Sequence, residues 1–246
     1  MEPITWFLTG MEKHSDEMRE ELRGNADNFT RAMTYHMANM MVPSLLTSMN
    51  ELSNHDHSRF LTRTNRMVGR IATSGSEAAG INTDEAIFKQ GVVMQMTLPG
   101  APTIYYGDEA GVCGWTDPDN RRTYPWGREN LELIEFYREA ICIHKQNQVL
   151  KTGSYLPLLW EKDLLCYGRF DEEDAILTVV NTSDEPKTIT PPVYMLGSED
   201  GTVWERLIET NREFYNCGRI KSMQQGDVIE VTVKPNSSVI YRKLNK

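Results

Sequence analysis

LSNHDHSR, at residues 52–59, is the stretch that decides how this chain folds. It places one carboxylate, two imidazoles, an amide and a guanidinium directly after residues 44–52, which are predicted to form a strand. In barrels of parallel strands, the loops at the carboxyl ends of the strands build the active site. The segment therefore indicates both a fold class and a candidate site.

Helical and stranded patterns alternate around this segment up to about residue 150. Helical patterns cover residues 9–23, 27–41, 84–98 and 129–146, and short strand patterns cover residues 44–52 and 103–106. We expect Thr9 and Thr83 to be the N-caps of the first and third helices. This order is typical of a parallel α/β structure. Because two parallel strands do not complete such a sheet, residues 1–150 are expected to be a piece of a larger sheet or barrel.

The pattern becomes all-β from residue 151. Candidate strands, separated by turn residues, lie at 155–160, 164–170, 175–181, 187–190, 203–207, 228–233 and 239–242. Strands at this spacing predict a small antiparallel sandwich. We therefore expect two domains, at residues 1–150 and 151–246.

Composition narrows the possible partners and compartments. The net charge of the 246 residues is -9, which disfavours binding to nucleic acid. The apolar runs fall far short of the roughly 20 residues that span a membrane, and no basic region precedes an apolar run at the start. The four cysteines form no CxxC pair. We expect reduced thiols in a cytoplasmic protein without a membrane partner.

A second polar segment, residues 107–128, follows the second predicted strand. It offers carboxylates, arginines and the indoles of Trp115 and Trp126. Carboxylates and arginines bind sugar hydroxyls, and flat aromatic rings stack on the apolar faces of pyranose rings. On composition alone, an ordinary surface loop remains an alternative. A metal site at residues 55–57 is disfavoured, because adjacent side chains on an extended segment point in different directions.

Three motifs in order resemble signature regions of the α-amylase family of glycoside hydrolases. LSNHDHSR resembles the region after the seventh barrel strand, and LPGAPTIYYGDE (98–109) resembles the eighth strand. DPDNRRTYPW (117–126) resembles the sugar-binding loop beyond that strand. The resemblance implies the C-terminal part of a (β/α)8 TIM barrel, roughly strands seven and eight with their helices, followed by an antiparallel β-sandwich. It is greatest toward the oligo-1,6-glucosidase, neopullulanase and cyclomaltodextrinase members, which implies α-glucan oligosaccharides as substrates.

The resemblance also implies roles for individual residues. Asp56 resembles the third catalytic carboxylate, which holds ring hydroxyls and helps distort the sugar toward its oxocarbenium-like transition state. His55 resembles a residue that hydrogen-bonds the same sugar. Asp117 and Arg121 resemble an acid–base pair that contacts a sugar further toward the non-reducing end, while Thr123 stands where the family often has proline. No cofactor is implied, and no metal is expected because the family's usual calcium site draws on residues upstream.

The other two catalytic groups of such an enzyme have no counterpart here. A retaining glycosidase needs a nucleophilic carboxylate and a general acid about 5–5.5 Å apart. In the family these groups come from strands four and five, and the nucleophile lies in an Arg-x-Asp motif, which does not occur among the 53 residues before Asn54. We therefore expect a chain that begins just after the sixth strand and is inactive alone.

Several origins and one other function remain open at this point. The chain fits an expressed fragment, a truncated gene product or one piece of a split enzyme. A part-barrel exposes strand edges and apolar helix faces, so we expect self-association or binding to the missing N-terminal part of the enzyme. The alternative function is a non-catalytic carbohydrate-binding or assembly module on a degenerate amylase scaffold.

Overall fold

The chain is mainly helical up to residue 152 and mainly stranded after it. The computed structural model describes residues 2–15 and 17–244. The helices are α1 (Glu2–Thr9), α2 (Ala26–Ala38), α3 (Val42–Leu46), α4 (Phe60–Arg63), α5 (Ile71–Ser74), α6 (Glu85–Thr97), α7 (Leu131–Gln146) and α8 (Gln148–Thr152). The strands are β1 (Met49–Asn50), β2 (Ala101–Pro102), β3 (Ser154–Glu161), β4 (Leu164–Phe170), β5 (Ala175–Asn181), β6 (Lys187–Ile189), β7 (Val203–Thr210), β8 (Tyr215–Asn216), β9 (Lys221–Met223), β10 (Val231–Val233) and β11 (Ser237–Leu244). None of the described helices is long and apolar enough to cross a membrane.

β1 and β2 form a parallel pair, as the α/β pattern predicts. Met49 lies opposite Ala101 and Asn50 opposite Pro102. The buried Gln95 amide of α6 donates to the carbonyl of Asn50 (2.9 Å) and to the carbonyl one residue beyond β2 (2.8 Å). Because the two strands run in the same direction, the segments that follow them emerge at the same edge.

The later strands form one large antiparallel sheet with a smaller one beside it. The seven-stranded sheet has the order β3-β4-β5-β11-β7-β8, with β9 also paired to β7, and β6 pairs with β10. β4 and β5 are buried along almost their whole length, because both faces of the sheet are covered. One face packs on the helices through Leu165, Tyr167, Ile176, Val180 and Ile240, and the other packs toward β6 and β10 through Cys166, Leu177, Val179 and Trp204.

Buried hydrogen bonds join the helices to the large sheet. Gln90 of α6 donates to the carbonyls of Asn181 (2.8 Å) and Ser237 (3.1 Å). The Thr97 hydroxyl lies 2.6 Å from the hydroxyl of Tyr167. A single hydrophobic core also includes side chains from α1, α6, α7 and the sheet. The division into domains at residue 150 stays a prediction.

The predicted first helix is wrong. Thr9 is the last residue of α1 rather than the cap of a following helix, and Gly10 comes next with φ +74°. A glycine in this left-handed conformation ends a helix without steric cost. The Thr9 hydroxyl donates back to the carbonyl of Thr5 (2.6 Å) and accepts from the amide of Met11 (3.0 Å). Among the described residues of the predicted span after Thr9, the helical segment is a 3-10 turn at Glu20–Leu22.

The strand at residues 44–52 is also wrong in extent. Pro43 lies at the start of the short helix α3, where its missing amide proton costs nothing, and only Met49–Asn50 is a strand. The second predicted strand pairs at Ala101–Pro102 rather than at 103–106. The N-cap of α6 is Asp84, one residue after the predicted Thr83, and its carboxylate accepts from two amides of the first turn.

Candidate active site

The loop after β1 is a tight turn built on Asn54. The Asn54 Oδ1 accepts from the amides of Asp56 (3.0 Å) and His57 (3.1 Å), which is an Asx turn. The Asn54 Nδ2 donates to a carboxylate oxygen of Glu51 (2.6 Å), which also lies 3.4 Å from the Lys13 ammonium. The turn directs the Asp56 carboxylate outward, with 60% of the side chain exposed.

All four predicted site residues come together at the ends of the two parallel strands. His55 Nε2 lies 3.4 Å from Asp56 Oδ1. Asp117 Oδ1 lies 2.7 Å from Arg121 Nε, and both side chains are 49% exposed. The same Arg121 Nε donates to the His55 carbonyl (3.1 Å), and the Asp117 amide donates to the Asp56 carbonyl (3.3 Å). The loops are therefore joined through their backbones, while the roles of the side chains stay predictions.

A buried layer of three residues, Arg59, Asp108 and Asn120, lies beneath this surface. Asn120 Nδ2 donates to the carbonyls of Asn54 (3.1 Å) and His57 (2.8 Å), at either end of the turn. Arg59 Nε donates to the Asn120 carbonyl (2.9 Å), and Arg59 Nη1 donates to Asp108 Oδ1 (2.9 Å). Each of the three residues is no more than 2% exposed. This layer fixes the position of the Asn54 turn relative to the second loop.

The charges within the buried layer are balanced by one another and by aromatic rings. The guanidinium carbon of Arg59 lies 4.5 Å from the ring centroid of Tyr105 and 5.1 Å from that of Tyr106. Burial raises the pKa of Asp108 to about 6, although the charge of Arg59 and a hydrogen bond from Ser53 oppose the rise. At neutral pH Asp108 is therefore mostly ionised and paired with Arg59.

A second buried anchor lies in the loop after β2. Asp119 accepts from the amide of Trp115 (2.9 Å), from Arg122 (2.6 Å) and from the Ser76 hydroxyl (2.8 Å). Burial opposes ionisation of Asp119, but these hydrogen bonds outweigh it and lower its pKa. Trp115 is 1% exposed, so the expectation that it stacks on a sugar is wrong, whereas Trp126 is 81% exposed.

Residues of the first loops also approach the turn. The rings of His14 and His57 lie 4.6 Å apart, edge to face. Burial, followed by the nearby Lys13 and His14, lowers the pKa of His57 and so favours its neutral imidazole. Glu2, Glu12 and His14 bring one possible metal-ligand atom each within 4.8 Å of one another. Glu12 already accepts from the amide and hydroxyl of Ser15, and the absence of a metal stays a prediction.

The buried layer has a weak signature in the sequence. Arg59 and Asp108 belong to the two polar segments, but local spacing does not pair residues that are 49 positions apart. In the sequence, Asn120 resembles any other polar loop residue, although its side chain donates hydrogen bonds to both ends of the Asn54 turn. The long-range pairing follows only from the parallel alignment of β1 and β2.

Comparisons with known proteins agree with this arrangement. Residues 7–153 match the family model described as the alpha amylase catalytic domain. The chain is 41% identical over 130 residues to an amylopullulanase of Thermoanaerobacter thermohydrosulfuricus, covering 52% of this chain and 8% of that protein. It is 32% identical over 209 residues to neopullulanase 2 of Thermoactinomyces vulgaris, covering 82% of this chain and 30% of that protein. The chain thus spans less than a third of the length of these relatives.

Solved structures share the fold. The α-amylase of Geobacillus thermoleovorans in complex with acarbose has a TM-score of 0.71 at 18% identity, covering 99% of this chain and 46% of that one. The debranching enzyme of Nostoc punctiforme has a TM-score of 0.71 at 22% identity, covering 98% of this chain and 45% of that one. These likenesses show the fold of amylase-type TIM-barrel proteins. Because the family model matches more than half of the chain, the chain belongs to the α-amylase family.

Proposed function

We propose that this chain supplies part of the active site of a retaining glycoside hydrolase that acts on α-glucans, with Asp56 as the carboxylate that stabilises the transition state. The observation that carries the proposal is the convergence of His55, Asp56, Asp117 and Arg121 on one exposed edge above the buried layer. The names of the relatives, amylopullulanase and neopullulanase, support α-glucan substrates.

The geometry suits the role proposed for Asp56. Its carboxylate is mostly exposed, and the turn that carries it is fixed by backbone hydrogen bonds to the second loop. Such a carboxylate accepts hydrogen bonds from two sugar hydroxyls and stabilises the positive charge that develops on the ring in an oxocarbenium-like transition state. His55 and the Asp117–Arg121 pair flank it and offer further donors and acceptors.

The place of the chain within the family fold is part of this proposal. β1 and β2 take the places of the seventh and eighth strands of a (β/α)8 barrel, and α6 and α7 follow as their helices. The sheets from β3 to β11 take the place of the all-β domain that follows the barrel. The proposed domains are residues 1–150 and 151–246. We also propose that the protein is cytoplasmic.

Hydrolysis by these 246 residues alone is not expected. Two carboxylates of this region are already engaged: Glu51 accepts hydrogen bonds from Asn54 and Lys13, and Asp117 pairs with Arg121. A carboxylate that stabilises a transition state does not replace a nucleophile and a general acid. Weak binding of the sugar, without turnover, is the expected property of the isolated chain.

Exposed apolar side chains support the expected association with a second copy or with an N-terminal part of the enzyme. They lie on the segment that leads into β1, namely Tyr35 (68% exposed), Met41 (78%), Val42 (65%) and Met49 (60%). Light scattering coupled to size-exclusion chromatography is expected to show species larger than the 28.2 kDa monomer. A monodisperse monomer at all concentrations would count against this part of the proposal.

Two assays on the 246-residue chain test the proposal. A reducing-sugar assay with starch, pullulan and cyclodextrins is expected to show no turnover. Titration with maltotriose, followed by NMR, is expected to shift resonances of the two loops, and Asp56→Asn is expected to weaken the effect. Turnover by the pure chain would contradict the proposal that it is inactive alone. Binding unaffected by Asp56→Asn, or no binding, would favour an assembly module.

A further inference from the structure

A cavity separate from the candidate active site lies where α6 and α7 meet the end of the large sheet. Its volume is about 270 Å³, close to the lower bound for small-molecule sites. The aromatic rings of Phe136, Phe214 and Tyr215 line it together with Lys89 and Glu132. The rings of Phe136 and Tyr215 have centroids 5.2 Å apart and are tilted by 56°. Phe136 and Tyr215 thus pack against each other and form an aromatic wall of the cavity.

Lys89 is the unusual residue of this cavity. It lies on α6 and is only 3% exposed, whereas buried lysines are rare unless they are paired. Within the described part of the chain, no hydrogen bond and no ion pair within 4 Å engages its ammonium group. Glu85, one helical turn earlier, is held by the amide of Asn130 (2.9 Å) instead. The amine therefore lines the cavity without a direct partner.

The surroundings of Lys89 favour its neutral form more than those of a surface lysine. Burial lowers the pKa of Lys89, and the charges of Glu85, Glu132 and Asp84 oppose this only in part. A neutral amine has a free electron pair, so it is a nucleophile as well as a hydrogen-bonding group. Lys89 therefore places an amine without a direct partner in a cavity with an aromatic wall.

We propose that this cavity is a second ligand site, which takes small, uncharged aromatic compounds that carry an aldehyde or ketone carbonyl and holds that carbonyl at Lys89. The aromatic walls take up the ring of the ligand. The carboxylates of Glu85, Glu132 and Glu135 also line the cavity, so anionic ligands such as phosphates or carboxylic acids are repelled. The site shares no residue with the loops around Asp56, so it does not depend on the proposed function.

An aldehyde at this position reacts further with the neutral amine. The Lys89 nitrogen attacks the carbonyl carbon, a C–N bond forms and the carbonyl oxygen takes up a proton. The nitrogen then gives up its remaining proton as the oxygen leaves as water, and a C=N double bond results. The overall change is amine plus aldehyde to imine plus water, and it requires no oxidant or reductant. A hydride donor added in the experiment converts the imine into a stable secondary amine.

Labelling with benzaldehyde and cyanoborohydride tests the site in the whole chain. Peptide mapping by mass spectrometry is expected to show that Lys89 is labelled roughly tenfold faster at pH 7 than the exposed Lys145 of α7. Two causes contribute, because burial favours the neutral amine and the cavity concentrates the aldehyde. The rate at Lys89 is expected to saturate with benzaldehyde and to fall when benzyl alcohol, which has the same ring but no carbonyl, is added. The ratio of the labelling rate at Lys89 to the rate at Lys145 is expected to fall as the pH approaches the ordinary pKa of lysine.

Two variants keep the test decisive. Lys89→Met is expected to remove the label. Phe214→Ala, at a position that is 52% exposed and therefore tolerant of change, is expected to raise the half-saturating concentration severalfold while labelling of Lys145 stays unchanged. Three outcomes would each overturn the proposal. Lys89 is labelled no faster than Lys145, its labelling rate does not saturate with benzaldehyde, or neither benzyl alcohol nor Phe214→Ala changes that rate.

Discussion

The two loops that follow β1 and β2 carry two layers with opposite exposure. His55, Asp56, Asp117 and Arg121 are about half to two-thirds exposed, whereas each residue of the buried layer is at most 2% exposed. Exposed ion pairs contribute about 0–1 kcal/mol to stability, but removing one partner of a buried pair costs several times more. The difference indicates that the buried layer sets where the exposed groups lie, while the proposed chemistry is assigned to the exposed groups.

The largest expected effect comes from breaking the buried ion pair. Arg59→Met removes the donor to Asp108 and to the Asn120 carbonyl, and leaves a buried carboxylate without its cation. We expect a loss of about 3–5 kcal/mol in the free energy of unfolding. Denaturation by urea measures it. Arg138→Met, at an exposed pair on α7, is the control and is expected to change little. Equal losses in both variants would show that the two layers do not differ.

A smaller effect, dependent on pH, is expected from Asp108. Its pKa is about 6 in the folded chain, above the value of 3.8 for an unperturbed aspartate. A raised pKa contributes stability that is fully present below pH 3.8 and is lost as the pH rises through 6. Asp108→Asn lacks this term, so the stability of the wild type relative to this variant is expected to fall by up to about 3 kcal/mol between pH 4 and pH 7. Urea denaturation at several pH values measures the difference, and parallel pH profiles would contradict the assignment.

The smallest effect on stability is expected at the exposed layer. Arg121→Gln removes the ion pair with Asp117 and the hydrogen bond to the His55 carbonyl. Because both side chains are about half exposed, we expect a change of no more than about 1 kcal/mol in the free energy of unfolding. The same variant is expected to weaken the NMR shifts caused by maltotriose. A large loss of stability would mean that the exposed pair, rather than the buried layer, holds the loops together.

The sequence predicted the later strands better than the local structure that leads into the first loop. Local patterns of residue types predict the polar loop at Asn54 and the strands from residue 155 onward. The first helix was misplaced because Thr9-Gly10 fits a helix end as well as a helix start, and only packing distinguishes the two. The contact between Arg59 and Asp108 joins distant parts of the chain, so no local periodicity predicts it. Local composition likewise does not distinguish the buried Trp115 from the exposed Trp126.

The most direct test joins this chain to the nucleophile and general acid of a relative. A fusion replaces the matching segment of the cyclomaltodextrinase of Thermoanaerobacter pseudethanolicus, of which this chain covers 26%, with residues 1–246. Three versions are compared on maltotriose and cyclodextrin: unchanged, Asp56→Asn, and Glu172→Gln, an exposed carboxylate in the turn after β4. We predict that the unchanged and Glu172→Gln fusions hydrolyse both sugars and that Asp56→Asn lowers kcat by about 10²-fold or more. An Asp56→Asn fusion as active as the other two would contradict the role of Asp56.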